Sequence, residues 1–228
     1  MGIYMGNLQN NSFRFERKFV LTPVQSHRFI AELYFKNFTE IFRKRKINNI
    51  YFDNPSFDGI LDNIEGLSNR KKHRLRWYGS TFKKSKKTYE IKIKREFLNT
   101  KKNITIGVLP FKEFADVNSL YNDVVDFLKK NQQHHFLQTL LHKKPTLVNS
   151  YQRKYFLNSN GNIRITIDSD LKYYSPITKI HTSELNIIVE IKYDKVIDIE
   201  NEFNNLIYTR YSKYVKGYIS SSVFKPHY

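Results

Sequence analysis

Cysteine is absent from the 228 residues, so neither a disulfide framework nor a thiolate-held metal centre can be built, and a cysteine-ligated zinc finger is excluded. The absence suits a reducing compartment. Nowhere do about 18 apolar residues follow one another, as a membrane-spanning helix requires. The stretch from Met1 to Arg14 also lacks the apolar run of a signal peptide. The expectation is a cytoplasmic chain with no membrane segment of its own, in which the Asn-x-Ser/Thr triplets at Asn10, Asn37 and Asn103 carry no glycan. No Pro/Gly/Ser-rich linker and no internal repeat divides the sequence. Acidic residues are scarce as well: 21 Asp and Glu stand against 39 Lys and Arg, a formal charge of +18. Such an imbalance attracts anions at long range and directs attention to phosphates, nucleic acid or anionic lipid.

What the chain does have is 40% hydrophobic and 15% aromatic residues, enough to bury a core at this length, and a single domain over 1–228 is expected. Seven segments alternate with period two: Phe13 to Val20, Ile47 to Phe52, Arg70 to Tyr78, Thr88 to Arg95, Val148 to Phe156, Ile163 to Ser169 and Asn186 to Tyr193. They read as strands. Asn158-Ser159-Asn160-Gly161 predicts a tight hairpin between two of them. The Lys-rich stretch from Lys83 to Lys87 reads as another hairpin tip. Thr22, Pro23 and Gln25 form a capping signature that opens a helix over Pro23 to Phe35. Helical spacing recurs at Leu120, Val124, Phe127 and Leu128, and at Ile199, Phe203, Leu206 and Ile207. His134 and His135 read as helix-surface residues.

Side chains two apart in a strand share a face. Sorted in this way, one face collects Arg14, Lys18, Arg70, Lys72, Arg74, Arg76, Lys92, Lys94, Arg153, Arg164 and Lys192 together with Glu16, Glu90, Asp168, Glu190 and Asp194, while the other face is apolar. A half-solvated antiparallel sheet explains any one such strand. Repetition across five strands, with cations in large excess, calls for an anionic ligand instead. The expected architecture is α+β and mainly β: a closed antiparallel barrel with a polar, basic interior, covered outside by helices. Arg forks, Lys point charges and interior carboxylates that hold a divalent cation suit a phosphate chain. A nucleic-acid groove is not expected, because interleaved carboxylates repel the backbone unless a metal stands between them.

Eight motifs follow in order: Arg14-Phe15-Glu16-Arg17-Lys18, Ile50-Tyr51-Phe52-Asp53, Arg74-Leu75-Arg76-Trp77-Tyr78-Gly79, Glu90-Ile91-Lys92, Tyr151-Gln152-Arg153, Arg164-Ile165-Thr166-Ile167-Asp168, Glu190-Ile191-Lys192 and Ser212-Lys213-Tyr214. Together they resemble the VTC (polyphosphate polymerase) domain of the triphosphate tunnel metalloenzyme superfamily, in its bacterial stand-alone form, from about Arg14 to Gly217 within a core of 13–217. The resemblance implies a metal-dependent polyphosphate polymerase that uses ATP and Mn2+ or Mg2+. By motif position, Lys18, Arg74, Arg76, Lys92, Arg153, Arg164 and Lys213 resemble the residues that grip the reacting phosphates. Tyr151, Arg210 and Ser212 resemble substrate contacts, to which face-sharing adds Arg14, Lys72, Lys94 and Lys192. Glu190 resembles the metal ligand, with Glu16 beside it on the charged face. The resemblance leaves two alternatives: a triphosphate or polyphosphate hydrolase using the same tunnel, and a non-catalytic polyphosphate-binding module. Coupling of synthesis to export would require a separate membrane partner.

Overall fold

The computed structural model describes residues 14–96, 98–194 and 197–222; Phe13, expected in the first strand, lies outside them. The strands are β1 (Arg14–Leu21), β2 (Thr39–Asp53), β3 (Arg70–Tyr78), β4 (Ser85–Arg95), β5 (Leu98–Leu109), β6 (Lys144–Leu157), β7 (Ile163–Tyr174), β8 (His181–Glu184) and β9 (Ile187–Asp194). The helices are α1 (Pro23–Phe35), α2 (Asp58–Glu65), α3 (Val117–Lys130), α4 (His134–Leu141), α5 (Ile199–Glu202) and α6 (Lys213–Ser220). All described strands join one antiparallel sheet in the order β1-β9-β7-β6-β2-β3-β4-β5, with β8 alongside β7. None of the described helices is long and apolar enough to cross a membrane.

The expected barrel does not close. β1 and β5 stand at the two ends of the strand order and share no ladder. The backbone groups that closure would need on β1 are already engaged: Thr209 donates its N–H to the Lys18 carbonyl at 2.9 Å, and Phe19 bridges Tyr208. On β5, Gly107 sits at φ 115° beside a register shift against Lys87 and Thr88, a bulge that bends the strand. The sheet nevertheless curls strongly. Lys92 on β4 lies 3.7 Å from Glu16 on β1, although five strands separate β1 from β4 in the order. The result is an open trough whose two walls face each other.

The apolar outer face is covered in two places. Val117, Leu120, Val124 and Leu128 of α3 and Leu140 of α4 pack on Ile50, Phe52, Leu75, Trp77, Tyr89 and Ile91. Phe29 and Leu33 of α1, with Ile199 of α5, pack on Phe19, Ile165, Ile167, Val189 and Ile191. Each such fully buried side chain contributes on the order of 1.5–3 kcal/mol. The helix α1 starts as the sequence indicates, since Gln25 N–H donates to Thr22 Oγ1 at 3.3 Å and Thr22 N–H to Gln25 Oε1 at 2.9 Å. The helix expected around Ile199 to Ile207 is only the short α5.

Helix α6 does not lie outside. Its Tyr214 stacks on Tyr51 with ring centroids 4.5 Å apart, and a Cβ at Gly217 would lie 2.4 Å from Tyr173 and 2.7 Å from Leu147. These partners belong to the inner face, so α6 fills part of the trough and only a glycine allows its close approach. Lys87, read as part of a hairpin tip, is also placed differently. It is buried on the outer face, with Nζ 4.8 Å from the Trp77 ring centroid and donating to the Leu109 carbonyl at 2.8 Å and to Ser85 Oγ at 3.2 Å.

Candidate functional site

Antiparallel register sets opposite charges across neighbouring strands: Lys18 opposes Glu190, Glu16 opposes Lys192, Arg153 opposes Asp168 and Arg74 opposes Glu90. Curling of the sheet then brings the two walls together around a pair of glutamates. Lys18 Nζ is 3.1 Å from Glu16 and 3.9 Å from Glu190; Lys192 Nζ is 3.0 Å from Glu190 and 3.6 Å from Glu16; Lys92 completes the group from the far wall. Burial and the neighbouring Glu190 push Glu16 up, but Lys18, Lys92 and Lys192 outweigh them and leave its pKa lowered. Glu190, also resisted by burial, is held well below its usual value chiefly by Lys18 and Lys192. Both carboxylates are therefore ionised at neutral pH.

On one side of this centre, Asp168 is fully buried and accepts from Arg153 Nε at 2.5 Å and from its terminal nitrogen at 2.7 Å, while Lys213 Nζ lies 2.6 Å away. Lys213 is the first residue of α6, so this cluster fastens the helix to the sheet. Arg74 donates to Glu90 at 2.7 Å. Arg76 donates to Asn49 Oδ1 at 2.9 Å and to the Tyr151 hydroxyl at 3.1 Å. Burial raises the Tyr151 pKa, but Arg153 and Arg76 overcome it and leave the phenol more acidic than usual. Arg153 and Lys213 also stand over the Tyr151 ring, at 5.3 and 5.0 Å from its centroid.

On the other side stands a further group of cations. Lys72 donates to Ser212 Oγ at 3.0 Å, and Ser212 caps the N-terminus of α6. Burial, then Lys18 and Lys92, depress Lys72 well below the ordinary lysine value. Arg210 packs its guanidinium on Gly66, the left-handed C-cap of α2, where a Cβ would lie 1.7 Å from a guanidinium nitrogen. Burial and then repulsion within the Arg70, Lys94 and Arg210 group lower the pKa of both Arg70 and Lys94. Among the described residues, Arg70, Lys72, Lys94 and Arg210 make no ion pair.

The structure thus brings together Glu16, Lys18, Lys72, Arg74, Arg76, Lys92, Tyr151, Arg153, Glu190, Lys192, Ser212 and Lys213. Lys94 and Arg210 mark one end of the trough. Arg164 lines a cavity of about 160 Å³ at the other end, with Arg153, Thr166, Glu190 and Lys192. Arg14 is the first residue of β1, and its side chain lies outside the described residues, as does that of Asp194. Sequence reasoning gave no role to Asn49, which hydrogen-bonds both Arg76 and Asn149. Period-two counting back from Tyr51 places it on the inner face. Among the described residues no three His, Asp or Glu gather as a metal cluster. The Glu16 and Glu190 pair still fits a hard divalent cation of the Mg2+ or Mn2+ kind, because such ions take one or two carboxylates and complete their shell with water and phosphate oxygens.

The VTC domain family model matches residues 13–222. The chain belongs to the VTC domain family. No curated protein matches this VTC domain at a level that marks a relative. Solved structures that match the chain include a Vibrio parahaemolyticus protein described as a "putative adenylate cyclase" (12% identity, TM-score 0.45, covering 92% of this chain and 87% of that one). Another is the PH1819 protein of Pyrococcus horikoshii (13% identity, TM-score 0.46, covering 89% of this chain and 97% of that one).

Proposed function

We propose that this VTC domain is a metal-dependent polyphosphate polymerase that moves the terminal phosphate of ATP onto a growing inorganic polyphosphate chain. The observation that carries this reading is the state of the inner-face carboxylates. Glu16, Glu90, Asp168 and Glu190 are each ion-paired and each has a lowered pKa. A water nucleophile calls for a base to orient and deprotonate it, whereas an anionic phosphate end attacks without one. The cations Arg70, Lys72, Lys94 and Arg210, which form no ion pair among the described residues, extend the basic surface beyond what one triphosphate needs.

In this reading Arg74, Arg76, Arg153, Arg164, Lys18, Lys92 and Lys213 hold the donor phosphates in line with the acceptor, and Lys72, Lys94, Lys192, Arg210, Ser212 and Tyr151 hold the rest of the chain. Glu16 and Glu190 would hold Mn2+ or Mg2+, which supplies charge neutralisation on the transferred phosphoryl group. An oxygen of the chain-end phosphate bonds to the γ-phosphorus, the bond to the β–γ bridging oxygen breaks, and ADP leaves with that electron pair. No proton need move. Preorganised cations stabilise the charge on the transferred group.

The test is direct. Purified protein with ATP and Mn2+ or Mg2+ should yield ADP and a ladder that exopolyphosphatase removes and nuclease does not. Free phosphate without a ladder would instead establish a triphosphate hydrolase, and ATP left intact with either metal would leave only a binding module.

A further inference from the structure

The cavity at the Arg164 end of the trough is not lined by phosphate-gripping groups alone. Phe42 and Tyr155 share its wall with Arg153, Arg164, Thr166 and Lys192. The two rings stand edge to face, with centroids 5.5 Å apart and planes at 83°. Phe42 reaches this position because β2 is irregular there. The register against β6 shifts on both sides of Phe42, so that Phe42 pairs with Tyr155 and Arg45 with Arg153. A phenylalanine 45% exposed at the rim of a basic trough offers phosphate no hydrogen bond. It offers a flat apolar face. The Arg45 guanidinium lies 4.3 Å from the Phe42 centroid and 5.8 Å from that of Tyr155, and among the described residues it pairs with no carboxylate. The Thr166 hydroxyl, on the wall of the same cavity, is buried without a hydrogen-bond partner and so has an unmet requirement.

We infer that the Phe42–Tyr155 rim is the nucleobase subsite of the donor: the base of a nucleoside triphosphate stacks on Phe42, and its phosphates run inward past Arg164 and Arg153 to the glutamate pair. This rests on the reading of the trough as a nucleoside-triphosphate site and adds a direction to it. The base occupies the aromatic end, and the growing chain leaves by the end where Arg70, Lys94 and Arg210 form no ion pair among the described residues. Stacking on an aromatic face is tolerant of base identity, so the subsite favours nucleotides over bare triphosphate more than it distinguishes one base from another.

The experiment compares Mg2+-ATP with Mg2+-tripolyphosphate, which carries the same run of phosphates and no base. Phe42→Ala should weaken ATP binding about tenfold in calorimetry, within the range of aromatic stacking on a base, and change tripolyphosphate binding less than twofold. Phe42→Trp should restore ATP affinity, and its indole emission, distinct from that of buried Trp77, should be quenched by ATP and not by tripolyphosphate. That second variant decides the matter even if Phe42→Ala folds poorly. Equal losses for both ligands, unchanged ATP affinity, or equal quenching by both would overturn the subsite. If the native chain binds tripolyphosphate but not ATP, the subsite falls and a polyanion trough remains; if it binds neither, the functional reading falls with it.

Discussion

Asp168→Asn isolates what one buried carboxylate does for both stability and ligand binding. Asp168 is 0% exposed, and its partners are partly shielded too, with side-chain exposures of 14% for Arg153 and 11% for Lys213. The substitution keeps the shape but leaves two shielded cations facing an amide. Breaking a buried pair in this way costs roughly 3–5 kcal/mol. For a chain of this size, that lowers the melting temperature by roughly 6–20 °C, at about 2–4 °C per kcal/mol. Loosening should begin at α6, which Lys213 fastens to the sheet. The missing charge is one that a polyanion can supply, so tripolyphosphate should raise the melting temperature of the variant more than that of the native chain. The pH dependence has a definite sign. Burial raises the Asp168 pKa, but Arg153 and Lys213 bring it below its ordinary 3.8. Its contribution is therefore complete above that value and lost as pH falls through the folded-state pKa, so the gap between native and variant should narrow in acid. Thermal and denaturant unfolding from pH 3 to 8, with and without tripolyphosphate, checks each part. A loss below about 1 kcal/mol, or a gap that does not narrow in acid, would refute the account of Asp168 as the fastening charge.

Glu190→Gln should preserve the fold and abolish metal-dependent turnover, measured as ADP release over a Mn2+ titration; undiminished turnover would remove Glu190 from the metal site. Burial lowers the Lys87 pKa from 10.5 to about 8, so between those values the unfolded chain binds more protons and stability should rise with pH, by up to about 3 kcal/mol. Denaturant midpoints for the native chain and Lys87→Met should diverge at pH 8 and below and converge toward pH 10.5, and parallel curves would count against a charged lysine there.

Alternation in the sequence was enough to find the trough's inner face, because a strand leaves no choice about which side residues two apart occupy. Lys18, Arg74, Arg76, Lys92, Arg153, Glu190 and Lys192 all stand where that parity puts them. Closure was not legible by the same means: parity fixes faces, and whether two edges pair depends on which backbone groups other segments have taken, here those that Tyr208 and Thr209 occupy on β1. Strand β5 was missed because Asn99, Thr100, Lys101, Lys102 and Asn103 interrupt any apolar alternation, as an edge strand permits. Helix α6 was missed because it is eight residues long and includes Gly217 and Val215, poor helix formers that packing into the trough overrides. Lys87 was misplaced because a lysine among lysines looks solvated, and only the carbonyl of Leu109 and the Trp77 ring explain its burial. Phe42 gave no signal, since a strand irregularity decides which way it faces.

The pairing of β1 with β9 also has a consequence for how the chain is made. Arg17 donates to the Tyr193 hydroxyl across 176 residues of sequence, and Glu16 shares Lys18 and Lys192 with Glu190 over a similar span. Contacts so distant along the chain form late and slowly, after the cost of closing a very long loop has been met. A ribosome that has released β1 to β7 has produced strands with their cations exposed and without the second glutamate of the pair. The trough can therefore form only after β9 has emerged, and a product truncated before β9 would retain much of the positive charge while lacking Glu190.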